Sequence, residues 1–220
     1  MKTCLLIVAT MALCSPSYSQ PRPGAAPTMP LNEVLGPDNS FNDTVYGVAF
    51  TYPAGWRVRS GERWNWEDER ENSLMLSPPS RLHAITAVYY QLFSENVPGP
   101  ESEGIETFLR KIAERKAEAQ AAAGLKDYKN LPDSFVFSET GGRATLKNSA
   151  SYIEKRKPST EYFVRIFGAR GYVIFCVQGP VPDVKAVVAD VDRMAASVHG
   201  SLLETEGIYK DSVDWFLRGN

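Results

Sequence analysis

The sequence predicts an α+β domain organised on a mainly antiparallel sheet, and three observations carry that expectation. The second half of the chain holds four strand-like segments divided by turn residues: "SFVFSE", "RATLKNSASYIEK", "STEYFVRIFGA" and "GYVIFCVQG". Strands following one another this closely, with turn residues at each break, favour antiparallel pairing. Two other segments, Gly104 to Ala123 and Asp183 to His199, switch to helical spacing. The chain has 220 residues, 43% hydrophobic and 23% charged, which is ordinary globular composition with material for one sizeable core.

Residues 1–19 read as a secretory signal peptide. Lys2 is a minimal positive start, Cys4 to Cys14 is an apolar run, and Ser17-Tyr18-Ser19 offers small residues for cleavage. The apolar run is shorter than the roughly 20 residues a membrane-spanning helix needs, so no transmembrane segment is expected in the mature chain. Met11-Ala12-Leu13-Cys14 has a trace of a lipoprotein box, but bulky Leu13 stands where a small residue is wanted. No lipid anchor is therefore expected at Cys14. Cleavage after Ser19 removes Lys2, Cys4 and Cys14, leaving 23 basic against 26 acidic residues and a single cysteine, Cys176. One cysteine forms no internal disulfide framework, and within "YVIFCVQG" it reads as a buried, inert thiol.

Residues 20–40 open with "QPRPGAAPTMP" and form a Pro-rich, disordered lead. The domain proper is expected over 41–200. Asn42-Asp43-Thr44 matches a glycosylation sequon, relevant only in a eukaryotic secretory pathway. Tyr46, Val48, Phe50 and Tyr52 alternate as a strand does. In "YPAGW" that follows, Pro53 presets φ for a turn and Gly55 is suited to the left-handed conformation. The expected structure is a three-residue hairpin loop, with Trp56 opening the return strand. Further strands are expected at Ser73–Leu76 and Ala84–Phe93.

Ile105, Phe108, Leu109 and Ile112 set a core stripe on the first helix, continued by Ala119, Ala122 and Ala123. Ser102 reads as its N-cap, Glu106 and Arg110 as a supporting i,i+4 pair, and Gly124 before Leu125 as a Schellman-type stop. Val184, Val187, Val188, Val191, Met194, Ala195 and Val198 face inward on the second helix, which Gly200 ends. The extension 201–220 carries Ile208, Tyr209, Val213, Trp215, Phe216 and Leu217. That is too much apolar surface for a free tail, and docking on the domain is expected.

Function is less legible. The formal net charge of −2, with Lys155-Arg156-Lys157 as the densest basic run, argues against nucleic-acid binding. Beside Pro158, that run reads as a solvated turn. Only two histidines are present, His83 and His199, and no cluster of metal ligands or cofactor fingerprint appears. No metal or cofactor is expected, and both histidines read as structural or surface groups. The acidic run Glu67, Asp68, Glu69, Glu71 lacks the alternation of a calcium loop. In the same loop, Trp64-Asn65-Trp66 places two indoles on one face of an extended segment. They either pack under the domain or form an exposed platform for a sugar or a protein partner.

The motifs "VAFTYPAGW", "GIETFLRKIAE", "GGRATL" and "GYVIFCVQG" together resemble a PsbP-like domain over roughly Phe41 to Gly200. That superfamily includes the extrinsic PsbP proteins of photosystem II, the Ran-binding Mog proteins and bacterial envelope proteins of the DcrB type. The resemblance implies a three-layer α/β/α sandwich with helices on both faces of the sheet, and a protein that binds or organises other proteins. It carries no catalytic motif, and Gly61–Asn72 and the tail after Gly200 fall outside its pattern. The expectation is a secreted or periplasmic, non-enzymatic accessory protein with a protein partner. Two rivals stand beside it: a ligand or glycan binder using Trp64 and Trp66, and an envelope hydrolase using His83 or His199.

Overall fold

The computed structural model describes residues 35–36, 38–44, 46–58, 71–79, 82–92, 104–122, 125–140, 143–168 and 170–203. Three short strands come first, β1 (Leu35–Gly36), β2 (Ser40–Asp43) and β3 (Val48–Thr51), paired antiparallel in the order β1-β2-β3. Then come β4 (Arg57–Val58), β5 (Glu71–Ser77), β6 (Ile85–Leu92) and the helix α1 (Ile105–Ala122). The remainder is β7 (Lys126–Asn130), β8 (Val136–Thr140), β9 (Arg143–Glu154), β10 (Lys157–Phe167), β11 (Gly171–Pro180) and the helix α2 (Val181–Ala196).

The large sheet has eight strands in the order β4-β5-β6-β11-β10-β9-β7, with β8 also pairing β9, and its pairings are antiparallel. The meander read from the sequence is thus the centre of the sheet. This is a mainly antiparallel β architecture with two helices among the described residues, richer in strand than the expected three-layer sandwich.

Alternation explains the main core. Val164 and Ile166 of β10, Val173, Phe175 and Val177 of β11, and Val88 and Tyr90 of β6 are buried together. The apolar stripe Val184, Val187, Val191, Met194 and Ala195 of α2 packs into the same cluster. Phe41, Val48 and Phe50 of the small sheet complete it, with the Phe50 and Phe175 rings edge to face at 5.4 Å. Each buried aliphatic or aromatic side chain of this kind stabilises the fold by roughly 1.5–3 kcal/mol.

Three local expectations need correction. The turn at Pro53-Ala54-Gly55 forms as expected, with Gly55 at φ 84° and the Trp56 N–H donating to the Pro53 carbonyl at 3.2 Å. It is not a hairpin loop, however: β3 pairs with β2 and β4 pairs with β5. The free flank of β3 is taken instead by His199, whose backbone exchanges hydrogen bonds with Ala49 at 2.8 and 2.9 Å. "YPAGW" therefore hands the chain from the small sheet to the large one. Trp56 is buried, and its indole N–H donates to Asp190 of α2 at 3.2 Å.

The second correction concerns α2, which ends at Ala196, ahead of Gly200. The Ser197 hydroxyl reaches the Met194 carbonyl at 2.8 Å and accepts from the Thr51 N–H at 2.9 Å, turning the chain toward β3. The third concerns α1. Its buried positions include Ala113, Lys116 and Gln120, while Ala119 is only half-buried. The expected alanine stripe gives way because polar partners wait on the sheet for Lys116. The Leu125 N–H donates to the Gln120 carbonyl at 3.1 Å, the six-to-one bond of a Schellman stop. Ser102 lies outside the described residues.

Candidate functional site

In "STEYFVRIF", Glu161, Phe163 and Arg165 alternate with Tyr162 and Val164, so they point away from the α2 core. The register extends this set across the sheet, placing Asn148 of β9 and Cys176 of β11 beside Phe163 and Ala150 beside Glu161. Two charged residues in the middle of a buried strand are costly unless paired. The partners come from α1 and β7.

Glu161 is 2% exposed and Lys116 7% exposed, so the chemistry between them is dry. The Lys116 ammonium lies 3.6 Å from a Glu161 carboxylate oxygen, and the Tyr128 hydroxyl donates to that oxygen at 2.6 Å. The ammonium also sits 4.6 Å above the Phe163 ring, and the Arg165 guanidinium lies 4.4 Å from the same ring. Arg165 donates through Nη1 to the Asn148 side-chain oxygen. The Asn148 amide in turn donates to Asn130 at 3.2 Å, and Asn130 donates to the Ala113 carbonyl of α1 at 3.0 Å. The chain of contacts thus runs from sheet to helix at two points, Lys116 and Ala113.

Electrostatics follow from this burial. Desolvation pushes the Tyr128 phenol well above its ordinary range, and the Glu161 charge and the hydrogen bond to it act in the same direction. Arg165 is lowered to about 10 by desolvation, against which Cys176, Tyr128 and Glu161 favour the charged form. Its Nε–H has no acceptor among the described residues. Tyr128 and Arg165 therefore remain protonated near neutral pH, and Tyr128 acts as a donor. The arrangement clamps α1 to the sheet. With side chains this buried, it cannot present a general acid or base to a solute.

The sequence-predicted site residues lie elsewhere. Trp64 and Trp66 fall outside the described residues, as do Cys14 and the proposed cleavage site. His83 is exposed, and its backbone N–H donates to Asp183 at the start of α2 at 2.9 Å. His199 is exposed at the β3 bridge, with its ring Nδ1 2.8 Å from the Ser197 carbonyl. His83 is thus tied through its backbone to the Asp183 carboxylate and His199 through its ring to local backbone, both away from the Glu161 cluster. Cys176 is a buried thiol outside any disulfide, as its surroundings in sequence suggest. Among the described residues, no group of His, Cys, Asp and Glu could hold a metal ion, and no helix is long and apolar enough to cross a membrane. The polar cluster itself escaped sequence reading, although one signal was present: Glu161 and Arg165 fall on the same face of the run "EYFVRIF", whose other residues are apolar or aromatic.

No protein-family model and no curated protein matches the chain. Solved structures do match. The chain is similar to the cyanobacterial PsbP, CyanoP, of Synechocystis sp. PCC 6803, with 13% identity, a TM-score of 0.55, and coverage of 76% of this chain and 95% of that one. It also matches a chain from Bacteroides thetaiotaomicron at 12% identity and a TM-score of 0.47, covering 77% of this chain and 49% of that one. LpqN of Mycobacterium tuberculosis, a protein involved in cell envelope biogenesis, matches at 11% identity and a TM-score of 0.38, covering 75% of this chain and 86% of LpqN. The fold is PsbP-like, as the sequence motifs implied.

Proposed function

We propose that this protein is a non-enzymatic accessory protein, exported to the periplasm or the exterior, that acts by binding another protein. The observation that carries the reading is where its ionisable chemistry is placed. Lys116, Glu161 and Arg165 are 7%, 2% and 2% exposed and face one another across the seam between α1 and the sheet. Groups so enclosed hold a scaffold together. The PsbP-like fold is compatible with an accessory role and an extracytoplasmic location, and the signal-peptide pattern of residues 1–19 supports export.

The same reading takes α1 and α2 as covers for opposite faces of the sheet. Lys116 of α1 meets Glu161, while Asp192 of α2 accepts from the Tyr162 hydroxyl at 2.7 Å, and Glu161 and Tyr162 are neighbours in one strand. A domain end near Gly200 with a docked extension beyond belongs to this proposal; its start moves ahead of 41, since β1 at Leu35–Gly36 already pairs with β2. Leu202 and Leu203, at the start of the extension, are fully buried. Trp64 and Trp66 are its proposed partner contacts, on the strength of their shared spacing.

Crosslinking in intact cells followed by affinity capture tests the reading. A single dominant protein crosslinked to the wild type, and diminished in Trp64→Ala and Trp66→Ala variants that melt normally, is expected. A hydrolytic activity of the purified chain that disappears in His83→Ala or His199→Ala would overturn it.

A further inference from the structure

The hairpin joining β9 to β10 has a two-residue tip, Lys155-Arg156, with Glu154 paired across to Lys157. Both tip residues hold positive φ, 48° and 67°. A two-residue loop with positive φ at both central positions is the natural place for Asn-Gly or Gly-Gly, because an L side chain is strained there. This chain instead puts its two longest cationic side chains at the tip, and both are exposed.

The neighbouring strand adds to the charge. Lys126 pairs with Ile153 and Lys129 with Ser151, two positions apart on β9, although the lysines are three apart on β7. The register shift, with Asp127 at φ 57°, absorbs the extra residue and brings both lysines to the same face. Lys126, Lys129, Lys155, Arg156 and Lys157 are all exposed, and none has an ion-pair partner among the described residues. The tip pair and the two β7 lysines, against Glu154 and Asp127, make a positive projection on a chain whose net charge is −2, while Lys157 alternates onto the opposite face with Ser159 and Glu161.

We infer that this hairpin and the β7 flank form an electrostatic docking surface for an acidic segment of a protein partner. The inference rests on the protein-binding role proposed above and names the chemistry of the partner. Arginine and lysine on a rigid hairpin suit carboxylate side chains, with Arg156 able to engage one bidentately. A lipid surface fits less well. Among the described residues the large exposed apolar ones, Leu131 and Val136, lie beyond the far end of β7 from the tip, away from the cations.

The test uses the full mature chain and a labelled octaglutamate peptide, with phosphatidylglycerol vesicles as a second probe. The double variant Lys155→Asn/Arg156→Gly replaces the strained tip with the residues the turn prefers. It is expected to melt at or above the wild-type temperature while binding the peptide about tenfold more weakly, with a flatter salt dependence. Lys126→Gln/Lys129→Gln, away from the turn, is expected to weaken the peptide in the same direction. Unchanged peptide affinity in both variants, no peptide binding by wild type at low salt, or vesicle binding that survives while peptide binding fails, each overturns the inference. If Lys155→Asn/Arg156→Gly retains the wild-type crosslinked partner in cells, the hairpin is not its contact and the accessory role stands. If no partner is captured by either chain, the broader reading fails.

Discussion

Glu161 is the acceptor on which Lys116 and Tyr128 converge, and its replacement separates pairing from packing. Glu161→Leu strands an ammonium and a phenol in dry surroundings, and breaking a buried ion pair from one side costs about 3–5 kcal/mol. Glu161→Gln retains an acceptor for Tyr128 and is expected to cost less; urea melts of the two variants check the order. The tyrosines give a pH signature. Burial, then the hydrogen bond to Asp192 and its charge, raise Tyr162 as burial and Glu161 raise Tyr128. In the unfolded chain both phenols ionise near pH 10. Their contribution is therefore fully present below about pH 10 and is lost above it, where the unfolded state sheds protons that the fold retains. Arg165, lowered to about 10, has the opposite sign, since its buried charge is a cost that rising pH relieves. With two phenols against one guanidinium, stability is expected to fall above about pH 10. Tyr128→Phe should make that decline shallower, measured by melts at stepped pH.

At the scale of elements, the joint between α2 and the small sheet is built by close backbone approach. Gly200 sits at φ 118°, and a Cβ there would collide with the carbonyl oxygen of Gly47. Gly200→Ala should therefore cost more than the roughly 1 kcal/mol of an ordinary glycine exchange, visible as a lowered midpoint with native-like secondary structure at low denaturant. This joint also shows how far sequence reading reaches. The strands of the meander were legible because alternation in "YFVRIF" and "YVIFCV" reports a strand whatever its partners are. The turn at Pro53-Ala54-Gly55 was legible for the same local reason. What it connects was not, because β3 folds back on β2 and takes a distant bridge to His199 through backbone bonds that leave no mark on side-chain type. The small β2 and the edge strand β7 were missed: "SFND" and "KDYKN" lack an apolar period. The buried face of α1 was misassigned past Ala113 because Lys116 and Gln120 look solvent-facing until Glu161 is known to lie opposite. The candidate site was hidden by the same circumstance, being assembled from α1, β7, β9 and β10.

For the whole molecule, a PsbP-like scaffold is joined to proposed export and to a proposed protein partner. Export predicts that the mature chain begins near Gln20, which intact mass of the secreted or periplasmic species checks. A mature form that keeps Cys4, or one lipidated on Cys14, would require a different placement in the cell. The central claim is that the protein works in a complex, and size-exclusion chromatography of a gently extracted native envelope fraction tests it most directly. The account predicts that the endogenous protein elutes well ahead of the purified mature chain and moves back to the position of the free chain at high salt. Elution as the free chain at low salt, in extracts where other envelope complexes survive, would contradict it.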